Sequence, residues 1–137
     1  MYLLDTVVLS ELRKRRRDKH VVAWLESVSP SDLYISVITV AEIEQGIAQQ
    51  RKANPTFASD LEQWLESLLR LYGDHVLAFT ISMARRWGQL TATIGNSGLD
   101  LAIAATAQDQ GLTVVTRNVT DFDRTGVPTL NPFAHRP

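Results

Sequence analysis

The chain has 137 residues, 45% of them hydrophobic and 21% charged, which suits one globular domain with its own core and leaves little room for a second. It contains no cysteine, so disulfides and thiolate zinc sites are excluded. With a net charge of -1, tight sequence-independent binding to duplex DNA is disfavoured, and the placement of charges matters more than their sum.

Tyr2-Leu3-Leu4, closed by Asp5, reads as a buried first strand. The opening Met1–Asp5 lacks the basic start and long apolar run of a signal peptide, and no stretch is long and apolar enough for a bilayer span. A cytoplasmic protein is therefore expected. A helix is predicted from Val7 to Arg15 and another from His20 to Ser27, stopped by Pro30. Leu33–Ser36 reads as the second strand. A helix follows from Val40 to about Gln50, with Thr39 as its expected N-cap. Asn54-Pro55 marks a turn, and Ala58–Tyr72 is a long amphipathic helix with Leu61, Trp64, Leu65, Leu68 and Leu69 on one side. This face could exceed what the core needs and serve a partner.

Val76–Phe79 reads as the third strand and Ser82–Ile94 as a helix with Met83, Trp87, Leu90 and Ile94 at core spacing. After the Gly95–Gly98 loop, Leu99–Gln110 is apolar on nearly all sides and should be buried, with Gly111 ending it. Thr113–Thr116 is the fourth strand, and a short fifth is expected near Pro128–Leu130. Strands alternating with helices predict an α/β fold, with a central parallel sheet of about five strands flanked by helices, in a single domain over residues 1–137.

In such sheets ligands bind beyond the carboxyl ends of the strands. Asp5 ends the first strand, Glu42 follows the second in what should be a first helical turn, and Asn118 and Asp121 follow the fourth. Asp100 opens the buried helix. Each has a structural alternative. Thr39…Glu42 and Ser97…Asp100 have the form of capping boxes, and Asn118…Asp121 nearly so. Capping does not account for Asp5, nor for convergence of all four. Carboxylates gathered in one cleft repel one another unless a cation sits among them, and oxygen-only ligands favour Mg²⁺ or Mn²⁺. Such a site suits phosphodiester hydrolysis.

These residues carry a family resemblance. Leu4-Asp5-Thr6-Val7-Val8-Leu9-Ser10-Glu11-Leu12 resembles the opening of PIN-domain toxins of the VapC and FitB type. Thr39-Val40-Ala41-Glu42 with Gly46 resembles their second motif. Gly98-Leu99-Asp100, Ile103–Ala107, Leu112–Asn118 and Asp121-Phe122 resemble the third and fourth, and Asn131-Pro132-Phe133 matches FitB-like members. The resemblance implies a PIN-like fold and Mg²⁺- or Mn²⁺-dependent endoribonuclease activity on tRNA, rRNA or mRNA. It also implies a toxin role checked by a cognate antitoxin, a homodimer, and contact with operator DNA only through the antitoxin. It places the metal-binding and catalytic acids at Asp5, Glu42 and Asp100, with the fourth position falling on either Asn118 or Asp121, of which Asp121 is favoured. Thr6, Thr116 and Asn118 support them, with Val7 where the family has Asn.

Arg117, next to the expected site, is the candidate RNA contact. The basic run Arg13–Arg17 and Lys19 has a second reading as a solvated helix end, expected at the rim opposite the acids. His20, His75 and His135 show no metal spacing. Two other functions compete. One is a weakly active or inactive PIN-like partner in an antitoxin–DNA repressor complex. The other is a receiver-type phosphoacceptor, which fits the motif order poorly.

Overall fold

In a computed structural model, which describes residues 1–96 and 98–137, five parallel strands form one sheet in the order β3-β2-β1-β4-β5. They are β1 Tyr2–Leu4, β2 Leu33–Ser36, β3 Val76–Leu77, β4 Thr113–Val115 and β5 Thr129–Leu130. The chain moves outward from β1 to β2 and β3, then crosses back to place β4 on the other side of β1. The switch point therefore lies between β1 and β4, where a crevice opens at the carboxyl ends.

Successive strand residues face opposite sides. Leu4 and Val115 join one core with Val8, Leu9, Ile35, Ile43, Ile47 and Leu65. Leu3 and Val114 join the other with Ile103, Ala104, Leu112 and Phe122. The first face is covered by α1 Thr6–Arg13, α2 Lys19–Ser27, α3 Val37–Ala53 and α4 Pro55–Tyr72. The second is covered chiefly by α6 Leu99–Gln110, and α5 Ile81–Ile94 packs against α6. As expected, α6 is apolar all round and Leu101–Ala107 is buried without a break. Burying each Leu or Ile there contributes about 1.5–3 kcal/mol. Gly111 ends the helix in the left-handed conformation, at φ 66°, which a side chain would disfavour.

Several boundaries differ from the sequence reading. Helix α1 stops at Arg13. Helix α3 begins at Val37, capped by Ser36, whose hydroxyl accepts the Ile38 N–H. Thr39 is therefore a buried residue inside the first turn rather than the cap, and Glu42 lies in the second turn. Helix α4 begins at Pro55, with Asn54 Oδ1 accepting the Phe57 N–H. Proline is preorganised for that first helical position, so the predicted turn is a helix start. Strand β3 is only two residues long, and Phe79 leaves it to set its ring edge-on to Trp87, 6.0 Å between centroids.

The apolar face of α4 is used by the core, because Leu61, Trp64, Leu65, Leu68 and Leu69 all pack there. Trp24 is buried, whereas Trp64 and Trp87 are half-buried. His75 is structural, its Nδ1 bonded to the Leu33 carbonyl at 2.8 Å and its ring stacked on Tyr34. No described helix is long and apolar enough to cross a membrane.

Candidate active site

Asp5 follows β1 directly and is 6% exposed. Its backbone N–H extends the β1–β4 ladder to the Val115 carbonyl at 2.9 Å, which fixes its Cα at the switch point. Oδ1 accepts the Thr6 N–H and Oδ2 accepts the Thr116 hydroxyl, each at 2.8 Å. Asp5 is thus also the N-cap of α1, a role the sequence reading had withheld from it. Thr116 is fully buried, and its Oγ1 also accepts the Asn118 N–H at 3.0 Å. Asn118 therefore supports the site through its main chain.

Glu42 reaches the same rim from α3, where its Oε1 accepts the Thr6 hydroxyl at 3.0 Å. The hydroxyl of each of the two threonines thereby holds one carboxylate and fixes its orientation. Asp100 lies in the first turn of α6, whose N-cap residue, Gly98, supplies no side-chain cap bond. The expected Ser97 cap lies outside the described residues. Asp121 sits in the 3₁₀ segment Val119–Thr125, whose flanking Asn118 makes no side-chain cap. The two capping-box readings on described residues thus give way to carboxylates placed at the rim.

The four acids interact. Burial pushes the Asp5 carboxyl above its ordinary value against the Thr116 and Thr6 donors, and the charge of Asp121 adds to the rise. Burial also raises Glu42, opposed by Thr6 and reinforced by the charges of Asp5 and Asp100. Asp100 is raised by burial, then by Asp5 and Asp121. The charge of Asp5 thus bears on Glu42 and Asp100, and that of Asp121 on Asp5 and Asp100. Among the described residues, no three His, Cys, Asp or Glu side chains form a ready-made metal cage. An open rim of carboxylates whose ligand shell is completed by water and phosphate is the arrangement Mg²⁺ favours, because it keeps much of its hydration. The donors are all oxygen, the chemistry such an ion takes.

Two clefts are lined in part by these acids, one by Glu42 and the other by Asp100 and Asp121. One, about 250 Å³, is lined by Thr6, Glu42, Arg13, Phe57, Leu61 and Trp64 among others. The second, about 300 Å³, is lined by Asp100, Asp121, Thr120, Asn96 and Arg124 among others. A larger pocket of about 410 Å³ beside Leu33, Leu71 and His75 is mostly apolar and contains no acid, so the chemistry lies elsewhere.

The basic residues are not where the sequence placed them. Arg13 enters the first cleft, its guanidinium 5.2 Å from the Phe57 ring centroid and 6.0 Å from that of Trp64. Arg13, the last residue of α1, thus lines one cleft with Glu42, and the rest of the run is exposed. Arg117 is exposed and lies 3.8 Å over the Phe133 ring, outside the residues lining either cleft. Its charge reaches Asp18 instead. That carboxyl sits below its ordinary value because a burial penalty is outweighed by the Val21 and His20 N–H donors and by the charges of His20 and Arg117. Sequence reasoning missed Arg124, three residues after Asp121. The spacing was visible, but the 3₁₀ geometry that makes it meaningful was not.

Toxin FitB of Neisseria gonorrhoeae is 36% identical over 97% of this chain and 99% of its own length. VapC ribonuclease Y4jK of Sinorhizobium fredii is 38% identical over 97% and 98%. The structure of FitAB bound to the IR36 DNA fragment superposes with a TM-score of 0.80 at 35% identity, covering 100% of this chain and 99% of the other. The model of the PIN domain matches residues 2–128. With nearly its whole length matched, and with its acids at the switch point of the expected sheet, this chain belongs to the PIN-domain family.

Proposed function

We propose that the chain is the ribonuclease toxin of a toxin–antitoxin module, a Mg²⁺- or Mn²⁺-dependent endonuclease that hydrolyses phosphodiester bonds in RNA. The observation that carries this reading is the gathering of acids beyond the strand ends, where Thr6 donates to both Asp5 and Glu42 and where Asp100 and Asp121 line one cleft. Ionised carboxylates crowd one another at a cost unless a cation is shared. The names of relatives supply the chemistry: one is a VapC ribonuclease and another a toxin.

Asp5 and Asp100, with Glu42 and Asp121, would hold the ion. When bound, Mg²⁺ or Mn²⁺ supplies positive charge for the attack of water on the phosphorus and for departure of the ribose oxygen. Thr116 fixes Oδ2 of Asp5 and Thr6 fixes Oε1 of Glu42, so the carboxylates need little reorganisation when substrate arrives. Val7, in the first turn of α1, packs against the core and adds no polar group. Arg117, exposed on its Phe133 platform, is a contact for more distant RNA.

Residues 1–137 work as one PIN domain. An antitoxin is the expected partner, with operator DNA reached only through it, as the FitAB–DNA complex suggests by analogy. Homodimerisation and a cytoplasmic site of action, where RNA substrates lie, belong to the same reading. The test is incubation of antitoxin-free protein with a mixed tRNA and rRNA pool in Mn²⁺ or EDTA, beside Asp100→Asn. Discrete fragments that need Mn²⁺ and vanish in the variant are expected. No cutting by well-folded protein in Mn²⁺ would reject the nuclease.

A further inference from the structure

The second cleft contains a cation that the acids do not use. Arg124 lines it together with Asp100 and Asp121. In a 3₁₀ helix residues three apart lie one above the other, so Asp121 and Arg124 emerge on the same side of the Val119–Thr125 segment. That segment is pinned. Phe122 is fully buried, the Thr125 hydroxyl donates to the Phe122 carbonyl at 2.6 Å, and Gln108 Nε2 donates to the Thr125 carbonyl at 2.9 Å. The backbone bearing Arg124 is therefore held in place relative to α6, which carries Asp100.

Despite its two acidic neighbours, Arg124 forms no ion pair among the described residues; those found are Lys14–Glu11, Arg51–Glu62 and Arg86–Asp109. A guanidinium carries five donors in a fork that matches a phosphate. An RNA strand entering a rim of carboxylates meets repulsion along its whole backbone. The ion offsets this only at the phosphate being cut, and the neighbouring phosphates need their own positive charge.

We propose that Arg124 grips an RNA backbone phosphate adjacent to the scissile one, so that the Asp100–Asp121 cleft is a phosphate subsite that positions the strand. This rests on the ribonuclease reading. Arg124 is a positioning residue whose contact forms on binding, before chemistry.

The experiment compares parent, Arg124→Gln, Arg124→Lys and Arg85→Gln, the last removing an exposed charge on α5 outside this cleft. Steady-state cleavage of a single-stranded RNA oligonucleotide in Mn²⁺ gives KM and kcat. Fluorescence anisotropy in EDTA over a salt series gives Kd for the same RNA. Arg124→Gln should raise KM and Kd roughly 10-fold, as for a lost charge-assisted hydrogen bond, with kcat nearly unchanged. Its log Kd against log salt slope should fall by about 0.7, the share of one phosphate on a single strand. Lysine should restore part of the loss, and Arg85→Gln should change neither constant. Equal effects of Arg124→Gln and Arg85→Gln, or a loss confined to kcat, would overturn the assignment. If the parent cuts nothing, the ribonuclease reading fails, while the anisotropy series still decides whether Arg124 contacts RNA.

Discussion

The cleft lined by Glu42 and the cleft lined by Asp100 and Asp121 are built differently. On the Glu42 side the wall is half apolar, and its one arginine, Arg13, is already spent on Phe57 and Trp64. On the Asp100 side the wall is polar and Arg124 has no ionic partner among the described residues. An arginine of the first kind acts on packing, because its stem and guanidinium cover apolar surface. One of the second kind is available to a ligand. Proximity of a basic residue to the acids is thus no guide to its role; the partners it has already acquired are.

The largest effect that would break this comparison comes from Asp100. Asp100→Asn should lower cleavage by about 1,000-fold or more, the scale of losing a principal transition-state stabiliser, with the melting temperature of metal-free protein little changed. The gain in melting temperature on adding Mg²⁺ should shrink with it. Full activity in the variant would remove the Asp100 cleft from the chemistry. Next, Thr116→Val keeps the shape but withdraws the donor from Asp5 Oδ2 and the acceptor from the Asn118 N–H. A loss of roughly 10- to 100-fold in activity or metal affinity is expected, as for groups that orient ligands, with Thr116→Ser close to the parent. Kinetics against Mn²⁺ concentration would measure it.

Stability gives a smaller effect of known sign. Asp5, Glu42 and Asp100 all have carboxyl groups raised in the folded chain, so the fold binds more protons than the unfolded chain does. Their contribution is fully present below ordinary carboxyl pKa values and is lost as pH rises through the raised ones. Metal-free parent should therefore lose stability through mildly acidic pH. Asp5→Asn, whose amide oxygen can still cap α1, should lose less and be as stable or more stable at neutral pH. Urea titrations at several pH values in EDTA would show this, and a steeper loss in the variant would contradict it. The smallest effect separates the two arginines. Arg13→Gln should cost about 0.5–1 kcal/mol of stability, the scale of exposed cation–π contacts, and leave the KM for RNA within about twofold, unlike Arg124→Gln.

Much of this molecule was legible beforehand. The strand–helix alternation, the buried α6 and its Gly111 stop follow from periodicity and from the one residue that tolerates φ 66°, because those are local properties of the chain. The acids were placed at one rim because a parallel sheet puts all its strand ends on the same side. Sequence alone could not decide what each polar group does there. Asp5 both caps α1 and points a second oxygen at Thr116, which is 111 residues away; Thr39 lost the cap to Ser36; and Arg117 turned to Phe133 while Arg124 took its place beside the acids. Such choices depend on which elements pack together, since a hydrogen bond or a stacked cation needs its partner within a few ångströms. Only the tertiary fold sets those distances.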